Sequence, residues 1–495
     1  MRWSYLLPEY LEYFEQPVPL GVAVVSSVCR VYAEYHSEGV LNCQLNPDAE
    51  QNVRTLQVSL PADAAHLPLV EWWLVRAPAT QLKVSATFEG CNGTIRKEVD
   101  TLVNLSSTLT SRAVGHAFLL LFRGVDSLSL FTPLLALTED IRAYRCLTLN
   151  SLDGLSGSPR LKILDISQSS VTNLKVLKAC PFLERLDISG CTELAALDDV
   201  ENLGRLRHVN LSHSGVSCIK ALECCPQLET VDACGCTRLA SLSLTSLSKL
   251  RNVYASRSNV TSLATLRTCP MVQEVFAADC TLLTDLDGLE ELQHLKEINV
   301  SHSGITGIHN LGRCPSLQLL SFTGCKAVSS LDALNGASSL EVVHASRSAI
   351  TSVRALRTCS MLREVYVVDC MNLTSLDGLT GLHHLKEVNA SFSGITTLST
   401  IGTCPLLERL SVIGCERLIS LDGLEGLQHL KEVDASRTNI KEVSALRTCP
   451  SLTTLRLQGC VQLLSIRDLD GLNHLFNVDV SQSGVIPHED LFDQD

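Results

Sequence analysis

Leucine recurs along most of the chain at a fixed beat. In residues 430–452, Leu430, Val433, Ala435, Thr438, Ile440, Val443, Leu446 and Cys449 hold positions 1, 4, 6, 9, 11, 14, 17 and 20 of a unit that starts again at Leu452. Alternation of apolar and polar residues over positions 3–8 predicts a short strand around positions 3–7. Positions 4 and 6 then point inward, and 3, 5, 7 and 8 face out. One such unit cannot bury its apolar edge alone, whereas stacked copies do so for each other. Position 1 falls at Leu161, Leu183, Leu206, Leu228, Leu250, Val272, Leu295, Leu317, Leu340, Leu362, Leu385, Leu407, Leu430, Leu452 and Leu475, at intervals of 22 or 23. A degenerate copy with Ile141, Cys146, Leu149 and Leu152 precedes them, making about 16 units.

This spacing resembles the leucine-rich repeat. The resemblance implies an α/β solenoid, a horseshoe or arc with parallel strands on its concave face. The 22-residue units read S-x-S-x-I, as in SHSGITGI, and the 23-residue units read x-x-C-x-x-L, as in TGCKAVSSL. The shorter units resemble the class found in internalins and phosphatase-regulatory proteins, and the longer ones the cysteine-containing class of F-box adaptors. The LxxCP…GCxxLxSLDGL style, over about 350 residues, resembles the large leucine-rich-repeat families of trypanosomatids. The LDGL segments that begin at Leu286, Leu376, Leu421 and Leu469 are expected to turn the chain onto the convex side, with Asp-Gly supplying the turn.

A longer period lies above the unit. Residues 253–280 recur as 343–370, and 298–308 as 388–398, so a four-unit block is duplicated 90 residues on. Two similar stretches of surface should therefore lie one block apart.

Residues 1–137 are irregular and are read as an N-terminal capping region, 138–486 as the solenoid and 487–495 as a polar cap or tail. Leu7-Pro8, an apolar stretch and then Val28-Cys29-Arg30 resemble a degenerate F-box. That resemblance implies docking of a Skp1-type protein through residues 5–35, and with it a ubiquitin-ligase substrate adaptor. The simpler alternative is a cap shielding the first turn. The runs NVRTLQVSL and QLKVSATF look like strands, of degenerate repeats or of a small capping region.

Composition narrows the function. The chain has 495 residues, 45% of them apolar but only 4% aromatic, which suits narrow repeat interiors. A formal charge of −13 without a polybasic run argues against nucleic acid as a direct partner. Glu9, Glu12 and Glu15 stand where a secretion signal would need apolar residues. No run reaches the length of a membrane span. Of 21 cysteines, 15 form two ladders at intervals of 45 or 44: Cys146, Cys191, Cys236, Cys280, Cys325, Cys370, Cys415 and Cys460, and Cys180, Cys225, Cys269, Cys314, Cys359, Cys404 and Cys449. Such regularity fits free thiols in equivalent buried slots better than disulfides or zinc, and so a reducing, intracellular setting in cytoplasm, nucleus or flagellum.

No P-loop, G-x-G-x-x-G, H-E-x-x-H or G-x-S-x-G occurs, so neither catalysis nor a cofactor or metal is expected. What remains is a scaffold that holds a protein partner on its concave face. A structural subunit of a flagellar or ribonucleoprotein assembly is a further reading. At position 8 the shorter units carry Gln168, His213, Arg257, His302, Arg347, Phe392, Arg437 and Gln482, and the longer ones Gly or Asp. This alternation should leave shallow grooves. Position 5 adds Tyr254, Phe276, His344 and Tyr366. Aromatics beside Arg dominate protein interfaces. The expected contact residues are therefore Tyr254, Arg257, Phe276, Asp279, His302, His344, Arg347, Tyr366, Asp369, Phe392 and Arg437. Arg–Asp pairing between neighbouring turns is the alternative use of the charged members.

Overall fold

The structure is a computed structural model. It describes residues 138–485 apart from 202 and 310, residues 117–136, and segments 22–24, 31–33, 54–59, 82–89 and 99–100. The expected tail, 487–495, lies outside the described residues, as does most of the proposed F-box. Within that stretch Val22–Val24 and Val31–Ala33 pair as antiparallel strands, where an F-box would place helices.

The chain forms two compact units, Met1–Leu239 and Ala240–Asp495. In the first, parallel strands follow one another in chain order through Arg54–Ser59, Leu82–Glu89, Ala117–Arg123, Thr138–Arg142, Ile163–Asp165, Arg185–Asp187, His208–Asn210 and Thr230–Asp232. The two strand-like runs thus belong to the same sheet as the regular repeats, which begins well before residue 138. Early strands are six to eight residues long rather than three. Their core holds bulkier side chains: Phe88, Phe122 and Phe131 form a cluster with ring centroids 4.8–5.5 Å apart. In the second unit eleven three-residue strands, from Asn252–Tyr254 to Asn477–Asp479, pair in parallel, each with the next. This is the α/β leucine-rich-repeat architecture that the spacing predicts.

Each strand covers positions 3–5 only, yet the ladder runs on. The position-8 N–H donates to the carbonyl at position 7 of the next unit, as from Arg347 to Val368 at 2.7 Å and from Phe392 to Ile413 at 2.6 Å. This places position 8 in the left-handed region in every unit, with φ between 54° and 78° from Gln168 to Gln482. Glycine accepts that conformation freely. Arg, His, Gln and Phe do so at a cost of about 1–2 kcal/mol each, which the ladder bond and the stacked neighbours offset.

The return segments are single 3-10 turns, for instance Arg354–Thr358 and Ser444–Thr448. In the shorter units these turns end on a cysteine of the second ladder, whose N–H closes the turn (Cys359 to Leu356 at 2.9 Å); in the longer ones they end elsewhere, as Asp377–Leu379 does at Thr380. Most of these thiols also point at a carbonyl of the preceding unit, as Cys404 Sγ does at Leu379 O, 3.1 Å away. Cysteines of the first ladder sit at position 9, between a position-6 carbonyl and the position-9 Ser or Thr of the unit before. Cys280, for example, is 3.1 Å from Ala255 O and 3.5 Å from Ser258 Oγ. The slot is therefore a ladder of alternating hydroxyls and thiols.

All fifteen ladder cysteines are free and buried, while Cys218 and Cys224 are exposed. Burial raises the thiols from 9.0 to about 11 at Cys180 and Cys359 and about 12 at Cys225. A protonated, enclosed thiol is unreactive. Brief iodoacetamide treatment followed by peptide mapping should label Cys218 and Cys224 and leave the fifteen unmodified until the chain unfolds. The same shifts set a pH dependence. The folded state keeps these protons where the unfolded chain has released them, so their stabilisation is intact below pH 9 and is lost as pH rises towards 12. Melting temperature under reducing conditions should fall steeply between pH 9 and about 12. Rapid labelling of the ladder cysteines at neutral pH would contradict this.

Candidate protein-interaction face

Positions 4, 6 and 9 are taken up by the core, so free chemistry on the strand side comes from positions 3, 5, 7 and 8. Val253, Val275, Ile298, Leu320, Val343, Val365, Val388 and Leu410 at position 4 are at most 1% exposed. The neighbouring position-5 side chains Tyr254, Phe276, His344 and Tyr366 stand half-exposed on the other face. Register brings them together in twos. Tyr254 lies opposite Phe276, with ring centroids 5.3 Å apart and tilted by 57°. His344 lies opposite Tyr366, stacked at 4.6 Å and 14°. The two pairs are four strands apart, about 19 Å at about 4.8 Å per strand. They are the duplicated stretches foreseen from the 90-residue period, and they form two clusters rather than one centre.

Position 8 behaves differently from expectation. Arg257 pairs with Asp279 at 3.5 Å and Arg347 with Asp369 at 3.1 Å. Both pairs are largely solvent-exposed, so their contribution to stability is small. Where the next unit has glycine, the bulky side chain leans over it. A Cβ at Gly324 would lie 2.3 Å from His302 Nδ1, and one at Gly414 would lie 2.5 Å from Phe392 Cδ1. Arg437 approaches Gly459 in the same way, at 3.5 Å. The grooves expected above these rows are therefore occupied by the neighbouring side chain. Left-handed backbone at position 8 aims the side chain along the stack rather than straight out of it.

Position 3, which residue-by-residue reading of positions 5 and 8 missed, supplies the charge of the face. Glu274 is in register with Glu297, and Glu364 with Glu387. Like charges directly opposite each other are unfavourable in a sheet. Around the second pair this is relieved: Tyr366 Oη lies 2.9 Å from a Glu364 oxygen and 3.0 Å from a Glu387 oxygen, so its one proton is shared between the two carboxylates. Arg409 adds a guanidinium on Glu387, with Nε at 2.6 Å and Nη2 also in contact. Burial, and then the two carboxylates, hold the Tyr366 phenol well above its usual range. Burial lowers His344, with Glu364 opposing, so the ring stacked on Tyr366 is neutral at pH 7. Among the described residues no three His, Cys, Asp or Glu side chains could together hold a metal ion. Nor, among the described residues, is any helix long and apolar enough to cross a membrane.

No protein-family model matches the sequence, and no curated protein matches it. Solved structures do. A leucine-rich-repeat protein of Leptospira interrogans is 15% identical, covers 73% of this chain and 94% of its own, and has a TM-score of 0.61. A chain of the Toll–Spätzle complex of Drosophila is 13% identical over 86% of this chain and 69% of its own, with a TM-score of 0.51. The functional domain of InlJ from Listeria monocytogenes, described as including a cysteine ladder, is 18% identical over 66% and 74%, with a TM-score of 0.48. At these identities the likeness is one of fold.

Proposed function

We propose that this leucine-rich-repeat chain is a non-catalytic scaffold that binds a protein partner through the strand face of residues 252–411. One observation carries the reading. An aromatic pair with flanking carboxylates is built twice on a face whose burial requirements are already met by positions 4, 6 and 9. Aromatics held half-exposed on a rigid sheet cost little to order on binding, which is how interface anchors work. The same fold contributes to a protein–protein complex in Toll–Spätzle. Phe276 and Tyr366 lie on the proposed contact face, Arg267 and Arg357 on the return turns. A photo-cross-linking residue placed at each of the four in native cells distinguishes the two sides. Positions 276 and 366 should give the same discrete adduct, and 267 and 357 little of it. Adducts from the turns alone would overturn the reading.

A further inference from the structure

The duplicated block allows one half of the face to be read against the other. Between residues 252–321 and 342–411 most of the strand-face constellation is kept. Arg257–Asp279 becomes Arg347–Asp369. The Ser301–Ser321 hydroxyl pair, 2.8 Å apart, becomes Ser391–Ser411, also 2.8 Å apart. Asn299 and Asn389 each accept the N–H of the serine two residues on, at 3.1 Å. The carboxylate pair Glu274–Glu297 becomes Glu364–Glu387.

Two of the replacements converge on a single carboxylate. In the second block Glu387 receives the Tyr366 hydroxyl and the Arg409 guanidinium. In the first block the tyrosine is replaced by Phe276, which has no hydroxyl, and the arginine by Leu319, half-exposed and without charge. Tyr254 Oη satisfies Glu274 at 2.6 Å. Glu297 has no side-chain hydrogen bond or ion pair among the described residues. Glu297 is half-exposed and in register with a second carboxylate, Glu274, in a molecule of net charge −13.

We propose that the seat filled internally by Arg409 in the second block is filled from outside in the first. A guanidinium or ammonium group on a basic segment of the protein partner lodges on Glu297 from the Leu319 side, where the Arg409 side chain lies on Glu387 in the second block. The equivalent carboxylate in the same chain already binds a guanidinium, so the geometry is known to accept one. A planar fork suits a carboxylate edge better than a point charge, so arginine should be preferred to lysine. This deepens the scaffold reading and rests on it.

The test uses the full chain and a fluorescein-labelled nonapeptide of alternating Arg and Gly, followed by anisotropy at low salt. Glu297→Gln should weaken binding at least fivefold. Leu319→Arg, which installs the internal cation, should do the same, and a Lys peptide should bind more weakly than the Arg peptide. Two variants match these charge changes elsewhere: Glu416→Gln, and Val461→Arg at an exposed position. Each should change binding less than twofold. If Glu297→Gln and Leu319→Arg do no more than their matched controls, the seat is wrong. That failure leaves the face reading standing if the cross-linked partner still depends on Phe276 and Tyr366. Loss of that dependence is the separate failure of the scaffold proposal.

Discussion

Gly378→Ala should be among the most damaging single-methyl changes in the chain, costing about 3 kcal/mol or more. A Cβ there would stand 1.7 Å from the Val353 carbonyl oxygen, 2.2 Å from its carbon and 2.7 Å from the Arg354 Cα. All three are backbone atoms of the preceding unit, so no side-chain rotation gives relief. The strand-side ladder and the Leu376–Leu379 turn fix the spacing between units, and widening it would break ladder bonds on both sides. Gly381→Ala, three residues on, is the matched control. Its φ of +72° carries a conformational cost, but nothing lies within 4 Å of the added methyl. It should cost about 1 kcal/mol. Denaturant unfolding of both variants, with hydrogen exchange to locate the damage, separates steric from conformational effects. Equal losses would mean that the units are not stacked this closely.

Gly378 also shows where the sequence misleads. Asp-Gly in the LDGL segments reads as a turn signal, and at Gly288, Gly423 and Gly471 the positive φ bears that out. Gly378 is not among the positive-φ glycines and sits within a 3-10 turn. There glycine serves close approach of one unit's backbone to the next. Nothing local encodes that, because the clashing atoms belong to Val353 and Arg354, a full repeat unit earlier in the chain. The stack itself was legible because its signal is local and repeated: apolar side chains at positions 1, 4 and 6 are needed in every unit, so fifteen copies report one constraint. The cysteine ladders were legible for the same reason.

The face was harder to read. Position-5 aromatics stood out by residue type, and register does pair them. At position 8 a residue-by-residue reading gives protruding side chains with grooves between. The left-handed backbone instead folds His302 and Phe392 over the following glycines, a consequence of a ladder bond the sequence does not display. The carboxylates at position 3 look like ordinary solvated charge until register sets them opposite one another. Their significance emerges only when the two blocks are compared strand by strand.

The second large effect concerns binding. Phe276→Ala with Tyr366→Ala removes one ring from each aromatic pair, and with Tyr366 the hydroxyl that bridges Glu364 and Glu387. Anchors of this kind contribute about 2 kcal/mol or more each when truncated, so the double change should weaken partner binding by at least a hundredfold. Both side chains project from the half-exposed face, so the fold should survive with a small loss of stability. Removing the same kind of side chain from outside the proposed face, as in Phe182→Ala, where an exposed ring packs under Arg205, should leave binding intact.

The most direct test of the account is therefore quantitative co-purification from native cells with wild type, Phe276→Ala/Tyr366→Ala and Phe182→Ala, each shown to melt cooperatively beforehand. The account predicts that the partner recovered with wild type and with Phe182→Ala is lost with the double variant. Equal recovery with all three folded proteins would contradict it.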